Sequence, residues 1–318
     1  MDLFSPYLAL PNFDIYLDVP IEPDSNTIII VRSPWCDSGK TVARFRVNSE
    51  ILKQESDVFK TAFADGMIAT NIWLNRRAEL TLPIAYDPRA VQAFLEILHG
   101  RDFQPLHLAL TGELASLSIR YRCRAKVATY MTEWMYKHVR PHEHRLAQPM
   151  LMEIISVAYR FRLPESFAWY TSRVITETKY VIRPLHIPLP TAVIAEMNRV
   201  RNNAIRQDLK VLHDAFCRLV AGYGPCTADC NVHMREALRD KILLHGLAPN
   251  QQQHPYKGLS HRDLAALMTS WEYPHDDEDE ELEHTCKHPQ HPSFVELWDR
   301  DNWVIEGLDV MAFHDDNL

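Results

Sequence analysis

Between Arg44 and Phe63 the chain reads RFRVNSEILKQESDVFKTAF, and its apolar period changes twice in that short run. Arg44 to Val47 alternates, with Phe45 and Val47 on one face, as a half-buried strand does. Ser49 is placed to cap a short helix carrying Ile51 and Leu52. Ser56 is placed to cap a second, in which Val58, Phe59, Ala62 and Phe63 face inward. Neither a single amphipathic helix nor an ordinary hairpin fits this pattern. A strand must feed two short helices.

The flanks extend the constraint. TIIIV at Thr27 to Val31 is a β-branched run expected to pair with the Arg44 strand as a hairpin across SPWCDSGK. AELTLP places Ala78, Leu80 and Leu82 on one face of a further strand that Pro83 ends. Asp87-Pro88 then opens a helix with its stripe at Val91, Phe94, Leu95 and Leu98, stopped by Gly100. Helices are predicted over Glu113 to Tyr121 and Ala125 to His138. Beyond Pro141 strand signals nearly vanish. Helical stripes recur there: Leu151 to Ala158, Phe167 to Val174, a long one from Thr191 to about Val220, then Met234 to His245 and Ser260 to Trp271. The expected fold class is α+β, a mixed front of about 22–140 followed by a helical extension at 141–222. A helical C-terminal region at 223–318 holds Cys and His and an acidic loop at 275–283.

The run F-x-V-x-S-x-x-L-x-x-x-S-x-x-F at Phe45 to Phe59, followed by LTLP and AFLEILHG, resembles the BTB/POZ domain over Ser25 to Lys137. It is similar to the divergent BTB proteins of filamentous fungi, and the helices after Pro141 are loosely similar to BACK-type extensions. The resemblance implies a small sheet covered by helices, and a scaffold or adaptor that works by protein–protein interaction. The implied partners are a second copy or a different protein, with a cullin-type ubiquitin ligase as the machinery to which targets would be recruited. Zinc-finger-linked BTB domains carry a buried Asp and Arg where this chain has Thr27 and Ser49. That departure leaves the mode of association open.

Composition narrows the alternatives. The chain is 46% hydrophobic and 24% charged, as an ordinary globular protein is. Its net charge of -8 is local, because Asp276 to Glu283 holds seven acids in a segment that reads as a solvated loop. There is no basic stripe to displace counterions from nucleic acid. No apolar run approaches the ~20 residues of a membrane span. The first residues lack a secretory n-region, so an intracellular protein, cytoplasmic or nuclear, is expected.

Chemistry-bearing motifs are few. DSGKT at Asp37 to Thr41 lacks the leading glycine and the following helix of a phosphate loop, and reads as a hairpin turn. Ser49 and Ser56 lie outside any nucleophile elbow, and no carboxylate pair is marked for acid–base work. The expectation is a protein with no catalytic residues. The Cys/His group differs. Cys226 and Cys230 stand at C-x3-C spacing, and His284, Cys286, His288 and His291 follow the acidic run. Thiolates and imidazoles in these spacings suit a closed tetrahedral zinc site, with Cys226, Cys230, His284 and Cys286 as first choice and His288 and His291 as alternatives. The competing reading is reduced thiols beside a histidine-rich surface loop. A zinc-stabilised regulatory protein, with its C-terminal region as the functional part, is therefore the second functional reading.

Overall fold

The computed structural model describes residues 17–32, 41–64, 78–82, 86–101, 107–185, 187–223, 228–250, 252–271 and 305–314. The chain divides into two compact units, Met1–Ser166 and Phe167–Leu318.

The first unit is mixed α+β. Strands β1 (Leu17–Pro20), β2 (Thr27–Arg32), β3 (Thr41–Val47) and β4 (Ala78–Thr81) form one sheet in the order β1-β3-β2-β4. The expected hairpin is present: β2 and β3 are antiparallel, with Ile29 opposite Phe45 and Thr27 opposite Val47. β4 lies parallel to β2, with Leu80 opposite Ile29. β1 lies parallel to β3 and was not foreseen. The period of two gives each face its own role. Ile29, Val31, Ala43, Phe45 and Val47 are fully buried on one face. On the other, Arg44 and Arg46 bracket Ile28 and Ile30 and reach to the sheet margins, where Arg44 meets Glu79 at 3.6 Å and Arg46 meets Asp18 at 3.3 Å. Arginine stems over isoleucine let this face remain partly apolar beneath a charged rim.

β3 runs into α1 (Ser49–Glu55) and α2 (Asp57–Ala64), the helix pair expected from the sequence. The cap of α1 is a correction. Asn48, still in the β region, is the N-cap and accepts from the Glu50 N–H at 2.9 Å. Ser49 is already helical, and its own N–H donates to Asn26 Oδ1 at 2.8 Å. The chain leaves the strand one residue earlier than a serine-centred reading allows. Ser56 does cap α2, accepting from the Phe59 N–H at 3.2 Å, and its hydroxyl donates to the Tyr121 carbonyl.

After β4, α3 (Pro88–Leu98) is capped by Asp87, with Pro88 in its first turn, and ends before Gly100 at φ +67. Val91, Phe94, Leu95 and Leu98 are buried as expected, and so are Ala90, Ala93 and Ile97. This helix is the hub of the unit, packing against β3, α1, α4 (Thr111–Arg120) and α5 (Arg124–Trp134). The single helix expected from Ala125 to His138 is instead α5, then a π-helical turn at Met135–Val139 and a 3-10 turn at Arg140–Arg145. Pro141 breaks the helical ladder without ending the packing: α6 (Gln148–Phe161) returns onto α4 and α5. The compact unit thus includes α6, whereas the sequence places its boundary after residue 140.

Among its described residues the second unit has helices joined by loops and no strand. It comprises most of α7 (Pro164–Glu177), the thirty-residue α8 (Thr191–Val220), α9 (Ala228–Leu244) and α10 (His261–Thr269). Leu209, Leu212 and Leu219 of α8 join Met234, Leu238 and Ile242 of α9 and Leu264 and Met268 of α10 in one apolar cluster closed by Trp271. Ser260 caps α10, accepting from the Asp263 N–H at 3.0 Å. Residues 305–314 lie along α7: Ser172 donates to the Ile305 carbonyl at 2.6 Å, and the Leu308 N–H to Thr171 Oγ1 at 2.9 Å. A Cβ at Gly307 would stand 1.7 Å from the Ala168 carbonyl oxygen, so only glycine permits this approach.

Candidate functional site

Among the described residues of the first unit, the sheet ends in two margins. β1 and β4 are its edge strands. Each presents one row of backbone groups unused by the sheet, the feature that templates strand pairing with another chain. β1 is short and includes the exposed Pro20, and the Asp18–Arg46 ion pair adds charge to that margin. On the helical side Ile119 and Tyr136 are exposed.

Behind these surfaces the entry to α1 is held by His99. Its Nε2 accepts from the Asn48 N–H at 3.2 Å while Nδ1 donates to the Leu95 carbonyl at 2.7 Å. Those roles require the neutral ring. Burial pushes the His99 pKa below its ordinary value, and its hydrogen bonds to Leu95 and Asn48 oppose that only in part. Because the folded pKa is depressed, the unfolded chain takes up the proton first, and stability rises with pH. The His99 contribution is therefore complete above about pH 6.5 and is lost as pH falls through the folded value. The thermal midpoint of the first unit should drop between pH 7 and pH 5, and His99→Gln should reduce that slope. An identical slope in the variant would assign it to other groups.

In the second unit charge is buried on the inward face of α8. Arg201, Ile205, Asp208 and Leu212 follow at helical spacing, and all are buried. Arg201 is 0% exposed. Its guanidinium donates to the carbonyls of Thr178 (2.8 Å), Pro255 (3.0 Å), Tyr256 (3.1 Å) and Leu259 (2.7 Å) and to Asn202 Oδ1 (2.8 Å). One side chain thereby fixes the end of α7 and the loop before α10 to α8. Two turns on, Asp208 Oδ2 meets His261 Nδ1, in the first residue of α10, at 2.6 Å. Burial raises the Asp208 pKa, and the hydrogen bond and charge of His261 counter it. This pair forms the inner wall of an open cavity of about 280 Å³, which Asn203, Gln207, Arg199 and Ile305 also line. Arg199 is held by Glu196 at 2.6 and 2.7 Å. The arrangement ties the N-terminus of α10 to the middle of α8.

Cys226, His284, Cys286, His288 and His291 lie outside the described residues, as do Asp37 to Lys40 and the acidic run. The backbone of Cys230 falls in the first turn of α9. Among the described residues no group of three or more His, Cys, Asp or Glu is arranged to hold a metal ion. Cys123 is buried, with its thiol pushed up to about 12 by burial, so it stays protonated and unreactive; Cys217 is exposed. No helix of the described residues is long and apolar enough to cross a membrane. Arg201, Asp208 and His261 were missed in the sequence because a helical stripe is read from apolar residues alone. The signal was there: Arg201 and Asp208 stand in register with Met197, Ile205 and Leu212.

No protein-family model matches the chain, and no curated protein matches it.

Proposed function

We propose that the chain is a non-enzymatic interaction protein, a scaffold or adaptor whose first unit is a BTB/POZ-like module that self-associates. The observation that carries this reading is the order and pairing of its elements. An antiparallel strand pair leads into two short helices, a strand returns parallel to the first of the pair, and helices packed around α3 follow. The order strand, strand, helix pair, strand, helices is the one on which the resemblance rests, and it supports this reading. A module of this kind works through buried apolar area and a few anchor residues, with no reactive group required. Adaptor function, with the helical second unit presenting a target to a cullin-type ligase, is tested by co-elution of the purified chain with a cullin N-terminal region. Separate elution at micromolar concentrations would remove the cullin from the reading.

A second reading is favoured by one placement. α9 begins at Ala228, so the backbone of Cys230 falls in its first turn, and Cys226 stands four residues earlier in the sequence. In this reading Cys226 and Cys230 bind one structural zinc with two of His284, Cys286, His288 and His291. Protein purified without chelator should then carry close to one equivalent of zinc, released by Cys226→Ser and retained in Cys123→Ser. Binding should weaken in acid as thiolates and imidazoles take up protons. Less than a tenth of an equivalent by elemental analysis would sink it.

A further inference from the structure

The cavity against α8 has a charged base that its walls satisfy only in part. Asp208 is 4% exposed, yet it lines an open space of about 280 Å³. Its Oδ2 meets His261 Nδ1 at 2.6 Å, while its Oδ1 makes no hydrogen bond among the described residues. A neutral imidazole at Oδ2 satisfies one oxygen and leaves the charge of the carboxylate, which is costly to hold away from water without a counter-charge. Arg199, the cation of the same lining, is exposed and already paired with Glu196 at 2.6 and 2.7 Å. Asn203 and Gln207, one turn apart on α8, add side-chain amide oxygens. Asn203 Oδ1 accepts from Arg206 at 2.8 Å and keeps a second lone pair. Val200, Ala204 and Ile305, each half-buried, supply apolar wall.

We propose that this cavity binds a protonated aliphatic amine, with its ammonium on Asp208 Oδ1 and its carbon stem against Val200, Ala204 and Ile305. The volume sets the size. It falls just below the ~300–1,000 Å³ of sites for drug-sized ligands, and is many times the ~30 Å³ share of one water. A chain of a few carbons fits, and a nucleotide-sized cofactor does not. The acceptors set the head group. A guanidinium fork is matched by two carboxylate oxygens, and His261 holds one of them. An ammonium is a compact charge with three donors, so one can go to Oδ1 and the others to the amide oxygens of Asn203 and Gln207. A metal ion is disfavoured, because Oδ2 and Nδ1 are bonded to each other and among the described residues no third ligand joins them. The amine arrives either as a small free molecule or as a lysine side chain of a partner. The described lining lies wholly within the second unit, so the site is independent of self-association by the first.

Ligand-observed NMR titration with the full chain tests the site at about pH 8, where aliphatic amines are protonated and an ordinary imidazole is neutral. The probes are butylamine, butanol, butylguanidine, and a short lysine peptide with its norleucine counterpart. The expected result is saturable binding of butylamine or the lysine peptide, weaker binding of butylguanidine, and no binding of butanol or the norleucine peptide. Asp208→Asn keeps the shape, removes the charge, and should weaken binding by roughly tenfold or more. Ala204→Leu fills the cavity from a half-buried wall position and leaves the Asp208–His261 bond in place. It should weaken binding as much, and serves if Asp208→Asn unfolds. Tighter binding of the lysine peptide than of butylamine assigns the site to a partner protein; equal or weaker binding assigns it to a small free amine. No saturable binding of either amine overturns the proposal. So does butanol, the norleucine peptide or butylguanidine binding as tightly as the amine, or unchanged affinity in the folded variants.

Discussion

Phe59→Ala is expected to destabilise the first unit by about 3–5 kcal/mol, the range for deleting a fully buried phenylalanine ring. Phe59 is 1% exposed, and its ring stacks on Tyr121 at 4.4 Å between centroids and 10° between planes. Tyr121 in turn meets Phe94 at 5.8 Å. The ring therefore joins α2 to α3 and to the end of α4. Two terms add: the apolar surface returned to water, and a void that Tyr121 cannot fill. Tyr121 is held in place because the Ser56 hydroxyl donates to its carbonyl. Phe63 lies one turn on and is only half-buried, so Phe63→Ala should cost less. Denaturant midpoints measured on both variants check this. An unchanged midpoint for Phe59→Ala would mean that the helix pair does not seal the core.

Arg201→Leu should cost the second unit a comparable amount, about 3–5 kcal/mol, as breaking a buried charged network does. Replacing a buried ion pair with apolar residues is often harmless because both partners go together. Here the partners are backbone carbonyls of Thr178, Pro255, Tyr256 and Leu259, which no side-chain change removes. Each carbonyl left dry and unpaired costs about 1–3 kcal/mol, less whatever water recovers by entering. Arg201→Lys supplies one compact donor in place of a planar fork and should recover only part of the loss. Thermal unfolding with limited proteolysis reads the outcome, and cleavage should appear first near residues 250–260. A leucine variant as stable and as resistant as wild type would show that the loop is held by other contacts.

The legible parts of this fold were those with a local period. The β2–β3 hairpin, the α1–α2 pair and α3 could be read because alternation, cap residues and helical stripes are each set within a few residues. Thr191–Val220 was read end to end for the same reason. β1 was not legible. It is four residues long, contains Pro20, and exists by pairing with β3 more than twenty positions away, which no local pattern encodes. The α1 cap was misread by one residue because Asn48 and Ser49 are both good caps, and backbone geometry chooses between them. The inclusion of α6 in the first unit depends on packing across Pro141, where composition suggests a break. Buried charge on α8 escaped because Arg201 and Asp208 gain their partners only when the 255–261 segment closes over them.

The central proposal, that the first unit is an association module, is tested most directly by the mass of the full chain in solution. Light scattering coupled to size-exclusion chromatography, run from low to tens of micromolar, should give a mass rising to twice 36.9 kDa or above. The first unit expressed alone through Ser166 should follow the same rise, and the remainder should not. A mass fixed at 36.9 kDa at every concentration would contradict self-association.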